Sequence, residues 1–133
     1  MTFKPSPKEV RVYTQGRCMY LAEALSKTFK LKQAVIYGWN AGFYVPIHAL
    51  CKVGKGFLDI EGFHYEEFFR KKYDFRDWLL KDVKHGWKEF YDNERIELDK
   101  ELNLVHTYYS YFEGEIENEL RTIPKSVEFN TKR

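Results

Sequence analysis

Hydrophobic positions along the chain change their period more than once, and each change marks an element. The opening residues hold Pro5 and Pro7, then Val10, Val12 and Tyr13 alternating with charged positions, then Gln15-Gly16-Arg17. That pattern predicts a short extended arm and a turn. From Cys18 the apolar residues Cys18, Leu21, Ala22, Leu25 and Phe29 recur at helical spacing, with Glu23, Ser26, Lys27 and Lys30 elsewhere on the wheel. An amphipathic helix of about three turns is expected. Ala34 to Trp39 then reads as a strand, and Asn40-Ala41-Gly42 as a turn into a second apolar strand from Phe43 to Val53. Gly54-Lys55-Gly56 reverses the chain into a third strand, Phe57 to about Ile60, ending near Gly62.

After Gly62 the period shifts to three or four. Tyr65 to Tyr73 reads as a short helix, and Asp74 as the cap of another with Phe75, Leu79, Val83, Trp87 and Phe90 on one stripe, weakened by Gly86. Asp99 is expected to cap a last helix with Leu102, Val105, Tyr109, Phe112, Ile116 and Leu120 on one face, stopped by Pro124 before a frayed tail. No repeat or linker interrupts residues 1–133, so one domain is expected. Its class is α+β, a small antiparallel sheet with an N-terminal helix that carries the nucleophile candidate and a helical C-terminal half.

Composition supports a globular chain: of 133 residues 44% are hydrophobic and 32% charged. Aromatics at 18% are enough to build a core and leave rings outside it. The 22 basic and 20 acidic residues are interleaved, so nucleic acid is disfavoured as a partner. With only Cys18 and Cys51, a disulfide framework is not expected, and neither a signal-like apolar run nor a membrane span is evident. These features point to a cytoplasmic protein. His64, His85 and His106 are scattered, no HExxH or CxxC occurs, and the glycines at 54, 56 and 62 form no phosphate loop. Neither a metal nor a cofactor is expected. Glu66-Glu67, Lys71-Lys72 and Glu115 with Glu117 read as solvated helix faces.

Chemistry concentrates at Cys18. It falls in the first turn of its helix after Gln15-Gly16-Arg17, where free N–H groups, the macrodipole and Arg17 all favour a thiolate. A packed Cys that begins the apolar stripe is the plainer reading. In the strand to Val53, His48 alternates onto the face of Pro46, Leu50 and Lys52, a more solvated face than that of Val45, Ile47, Ala49, Cys51 and Val53. The register of the next hairpin decides whether Asp59 can reach it. A loop of Val53 to Gly56 pairs Lys52 with Phe57 and sets His48 opposite Glu61 and diagonal to Asp59. A loop of Gly54-Lys55-Gly56 pairs Cys51 with Asp59 and turns that carboxylate to the other face.

The run GRCMYLAEALSKTF, followed by IHALCKVGKGFLDIEG, resembles papain-like and transglutaminase-like thiol enzymes. The resemblance spans about residues 15 to 64, roughly one supersecondary core. It rests on Cys at a helix start, His on a strand, Asp on the next strand, and the H-x10-D-x2-G hairpin. It implies Cys18 as nucleophile toward an amide or ester carbonyl, His48 as base and then acid, and Asp59 as the group that orients His48. Gln15 is close enough in sequence to join the Cys18 N–H as an oxyanion donor, with Glu61 in support. Trp39 and Tyr44, with Phe43, are candidates to line a substrate cleft, although an aromatic core also accounts for them.

Two functions follow. One is a Cys-dependent acyl-transfer enzyme acting on an amide or isopeptide bond of a protein or small amide. The alternative is a non-catalytic protein-binding module, such as a viral or mobile-element inhibitor of a host system, because fold does not fix function.

Overall fold

The computed structural model describes residues 3–73, 77–84 and 97–122. Where an extended arm was expected, a helix forms instead, α1 (Pro7–Gln15). Ser6 accepts from the Glu9 N–H and the Glu9 carboxylate accepts from the Ser6 N–H, a reciprocal capping box, with Pro7 at the first helical position where its missing N–H costs nothing. The Ser6-x-x-Glu9 spacing was the signal for it. Tyr13 is its buried residue.

After Gly16 comes α2 (Cys18–Phe29), with Leu21, Ala22, Ala24 and Leu25 buried and Lys30 closing it in the left-handed region at φ 56°. Next run β1 (Gln33–Asn40), β2 (Phe43–Val53), β3 (Gly56–Asp59) and β4 (Gly62–His64). Ala41 and Gly42, both at positive φ, turn β1 into β2, as a two-residue hairpin of this twist requires. Gly54 takes the positive φ needed between β2 and β3. Helix α3 (Glu66–Lys72) follows, then β5 (Trp78–Val83), α4 (Asp99–Thr107) and α5 (Tyr109–Thr122).

The sheet is antiparallel, in the order β4-β3-β2-β1-β5. The helical stripe expected from Phe75 through Leu79 and Val83 is therefore corrected where it is described: Trp78 to Val83 is an edge strand against β1. A run of six residues that alternates against an existing sheet edge gains ladder hydrogen bonds that a short helix could not match. Asp74, Phe75, Gly86, Trp87 and Phe90 of that expectation lie outside the described residues, as does the tail beyond Thr122. The last helix is also corrected. It breaks at Tyr108 into α4 and α5, and Leu98 rather than Asp99 precedes its first turn. The break rotates the stripe, burying Leu104, Val105, Phe112 and Ile116 and leaving Leu102, Tyr109 and Leu120 exposed.

Both faces of the sheet are covered. Helices α2, α4 and α5 pack on Val35, Ala49, Cys51, Val53 and Leu58. On the other face Phe69 of α3 packs with Ala34, Ile36, Leu50 and Phe57. The expectation of a solvated His48 face fails for this reason: α3 lies over it, and His48 is only 2% exposed. Glu115 and Lys72 also depart from solvated faces. Glu115 accepts from the Phe63 N–H on β4, and Lys72 pairs with Glu61.

Candidate active site

Three elements bring the sequence candidates together. Helix α2 delivers Cys18 at its first residue, β2 delivers His48, and the end of β3 delivers Asp59. Arg17, at the cap position of α2, makes no side-chain cap to the helix, so the first-turn N–H groups keep their attraction for negative charge. The Arg17 guanidinium is held elsewhere, donating through Nε to the fully buried Glu101 at 2.9 Å; Tyr13 donates its hydroxyl to the same Glu101 oxygen at 2.8 Å. This network ties α1, the start of α2 and α4 to one point beside Cys18.

The hairpin register is the one that pairs Lys52 with Phe57, closed by Val53 opposite Gly56. Continued along the strands, it sets Asp59 opposite Leu50, on the face of His48. Asp59 Oδ2 lies 2.8 Å from His48 Nε2, with both side chains buried. The other oxygen, Oδ1, accepts from the Glu61 N–H at 2.8 Å, so the turn after β3 fixes the carboxylate. Glu61 therefore supports Asp59 through its backbone, while its own carboxylate pairs with Lys72. A bulge precedes His48: Ile36 pairs with His48 and Tyr37 with Pro46, leaving Ile47 as the extra residue. Bulges twist a strand locally and re-aim its side chains. The Tyr73 ring stacks on the imidazole at 4.9 Å between centroids and 23° between planes, with Phe69 beyond.

With Nε2 committed to Asp59, Nδ1 is buried with no hydrogen bond, and the Cys18 thiol is the other group that interacts with the imidazole. Electrostatics follow from that neighbourhood. Burial opposes charge on Cys18, but hydrogen bonding and charge from His48, with the Ala49 and Met19 N–H groups, outweigh it and hold the thiol below its ordinary value. Burial likewise opposes charge on His48, yet Asp59 and then Cys18 raise it to about 9. The arrangement favours a thiolate beside an imidazolium. Cys51 is the contrast: fully buried, donating to the Ala22 carbonyl at 3.2 Å, its thiol is pushed far up by burial and by the charges of Glu23 and Asp59. Neither cysteine is in a disulfide.

Cys18 and His48 open onto a pocket of about 170 Å³ walled by Gln15, Gly16, Met19, Val35, Pro46, Ile47 and Ala49. A wider groove of about 770 Å³ runs between α1 and α4, but its walls hold no comparable nucleophile and base. Gln15 thus stands at the pocket, as its place in the sequence suggests.

No family model, curated protein or solved structure matches this chain.

Trp39 and Tyr44 are not pocket walls. They sit at the tip of the β1–β2 hairpin, edge to face at 5.1 Å between centroids, with Trp39 40%, Tyr44 43% and Phe43 60% exposed. An aromatic core does not account for them either. Sequence reasoning missed Tyr73, whose ring covers His48, and Glu101, whose carboxylate anchors Arg17; a Tyr at a helix end and a Glu in a helical stripe carry no local mark of such contacts. Among the described residues no three His, Cys, Asp or Glu side chains are grouped to hold a metal ion, and no helix is long and apolar enough to cross a membrane.

Proposed function

We propose that this chain is a thiol-dependent acyl-transfer enzyme of the papain-like and transglutaminase-like kind, acting on an amide or ester carbonyl of a protein or small amide. The observation that carries the reading is the chain of interactions from Asp59 through His48 to Cys18: His48 Nε2 is bound to the Asp59 carboxylate, Nδ1 is buried with no hydrogen bond, and the imidazole interacts with the thiol of Cys18 at a helix start. That is the combination of nucleophile, base and orienting group that nucleophilic catalysis needs.

The Cys18 thiolate adds to the carbonyl carbon, and the π pair moves onto oxygen, where the Cys18 N–H and the Gln15 amide are the nearby donors. Collapse breaks the carbon–nitrogen bond while the His48 proton passes to the departing amine. Water or a second amine then adds to the thioester and gives its proton to His48, and the Cys18 thiolate leaves. Two free thiols and a thiolate mechanism suit a reducing, cytoplasmic setting.

The test is acylation by p-nitrophenyl acetate followed by intact and peptide mass spectrometry. One acetyl group should appear on Cys18, depend on pH through the thiolate, and be lost in Cys18→Ser and His48→Ala. Acetylation spread over lysines, with Cys18 as inert as Cys51, would replace this reading with that of a non-catalytic binding module.

A further inference from the structure

Strand β2 is much longer than its neighbour on one side. Its 11 residues pair with β1 along nearly their whole length, but β3 pairs only with Cys51 to Val53. Among the described residues, the stretch Phe43 to Ile47 has no strand on the side away from β1. It is also open to solvent: Phe43, Tyr44 and Pro46 are exposed, Val45 and Ile47 half-buried.

The ladder tells which backbone groups look outward. The Trp39 N–H donates to the Asp77 carbonyl on the β5 side at 3.0 Å, so Trp39 and its partner Tyr44 form a non-hydrogen-bonded pair. The Tyr44 N–H and carbonyl therefore point away from β1. Two residues on, Pro46 points the same way, and its missing N–H costs no bond to β1, which is where a strand tolerates proline. Its carbonyl points away from β1 as well. This open edge, roughly 17 Å long at about 3.4 Å per residue, runs directly into the Cys18 pocket, whose walls include Pro46 and Ile47.

We infer that Phe43–Ile47 is a docking edge on which an extended polypeptide substrate adds as a further β-strand, its scissile carbonyl delivered to Cys18 at the end of the edge. The inference rests on the thiol-enzyme reading and narrows its substrate to a peptide chain. Main-chain hydrogen bonds would supply affinity, as in other strand additions. The side chains select for sequence: Phe43 to Ala49 contains no acidic residue, Lys or Arg, and Trp39, Phe43 and Tyr44 offer exposed rings at the far end, so uncharged apolar or aromatic segments fit.

The experiment compares three reagents on the full chain, with labelling of Cys18 followed by mass spectrometry. They are iodoacetamide, the chloromethyl ketone of an acetylated Val-Phe-Ala tripeptide, and versions of that peptide N-methylated at one backbone amide at a time. Chloromethyl alkylation forms the Sγ–carbon bond and releases chloride, with no other reactant needed. The peptide reagent should label with saturation kinetics, and methylation of an edge-pairing amide should slow it at least about tenfold, as loss of a hydrogen bond and steric blockage of the strand demand. If iodoacetamide reacts rapidly and depends on His48, yet every methylated peptide stays within about twofold of its parent, strand docking is overturned and the thiol-enzyme reading stands. If Cys18 is inert to all three reagents, both fall together.

Discussion

Replacing Asp59 by Asn keeps the size of the side chain and removes its charge, which isolates what that charge does. Asp59 Oδ2 lies 2.8 Å from His48 Nε2, and the two side chains are essentially inaccessible. Burial pulls the imidazole toward its neutral form, and Asp59, then Cys18, reverse this, raising His48 from 6.5 to about 9. At about 1.4 kcal/mol per pH unit, the span corresponds to about 3 kcal/mol in favour of the protonated, folded form. The sign follows from the direction: this stability is fully present below the unfolded value near 6.5 and is lost as pH rises through about 9. Urea unfolding should therefore show Asp59→Asn less stable by up to about 3 kcal/mol at pH 6, with the difference falling as pH rises above about 6.5 and largely gone above pH ~9.5. Reactivity should move with it. Without Asp59 the imidazole loses its proton more readily, the Cys18 thiol rises toward its ordinary value, and iodoacetamide labelling at pH 7 slows by about tenfold. Well above the ordinary thiol value, at pH ~10.5, both proteins carry mostly thiolate and the rates converge. A stability difference that does not vary with pH, or a labelling profile indifferent to the substitution, would refute the coupling of Asp59, His48 and Cys18.

Two further outcomes test the scaffold around this chain. Glu101→Gln removes the buried charge that receives Tyr13 and Arg17, and should cost about 1–3 kcal/mol in urea unfolding, the lower end reflecting an Arg17 side chain 38% exposed; no loss would show that α1 and α2 do not depend on it. Gly62 stands at φ +95° directly after the turn that fixes Asp59, with Tyr111 and Glu115 over the place a side chain would take, so Gly62→Ala should lower stability by at least about 1–2 kcal/mol; a thermal melt unchanged from the parent protein would contradict this.

Some of the fold was legible because its signals are local. The helix from Cys18, the turn at Ala41-Gly42 and the strand to Val53 follow from apolar period and from glycine at positive φ, which need no knowledge of neighbours. The capping box at Ser6 and Glu9 was just as local and went unread under the weight of two prolines. Trp78 to Val83 was different in kind. Its apolar spacing suits a helix or a strand, and only the free edge of β1 decided between them.

For the site, the chain alone determined the residue types: a Cys where a helix begins, a His on a strand and an Asp beyond a glycine turn. Backbone chemistry within a few residues specifies each of those. What it left open, whether the Asp59 carboxylate shares a face with His48, was decided by the pairing of Lys52 with Phe57 and by the bulge at Ile47. The tertiary structure also decided how the imidazole is buried, because α3 brings Tyr73 and Phe69 over it from a distant part of the sequence. Spacing sets which side chains can meet across one or two elements. Depth, charge and the direction a proton would move depend on the low-dielectric surroundings that only packing creates.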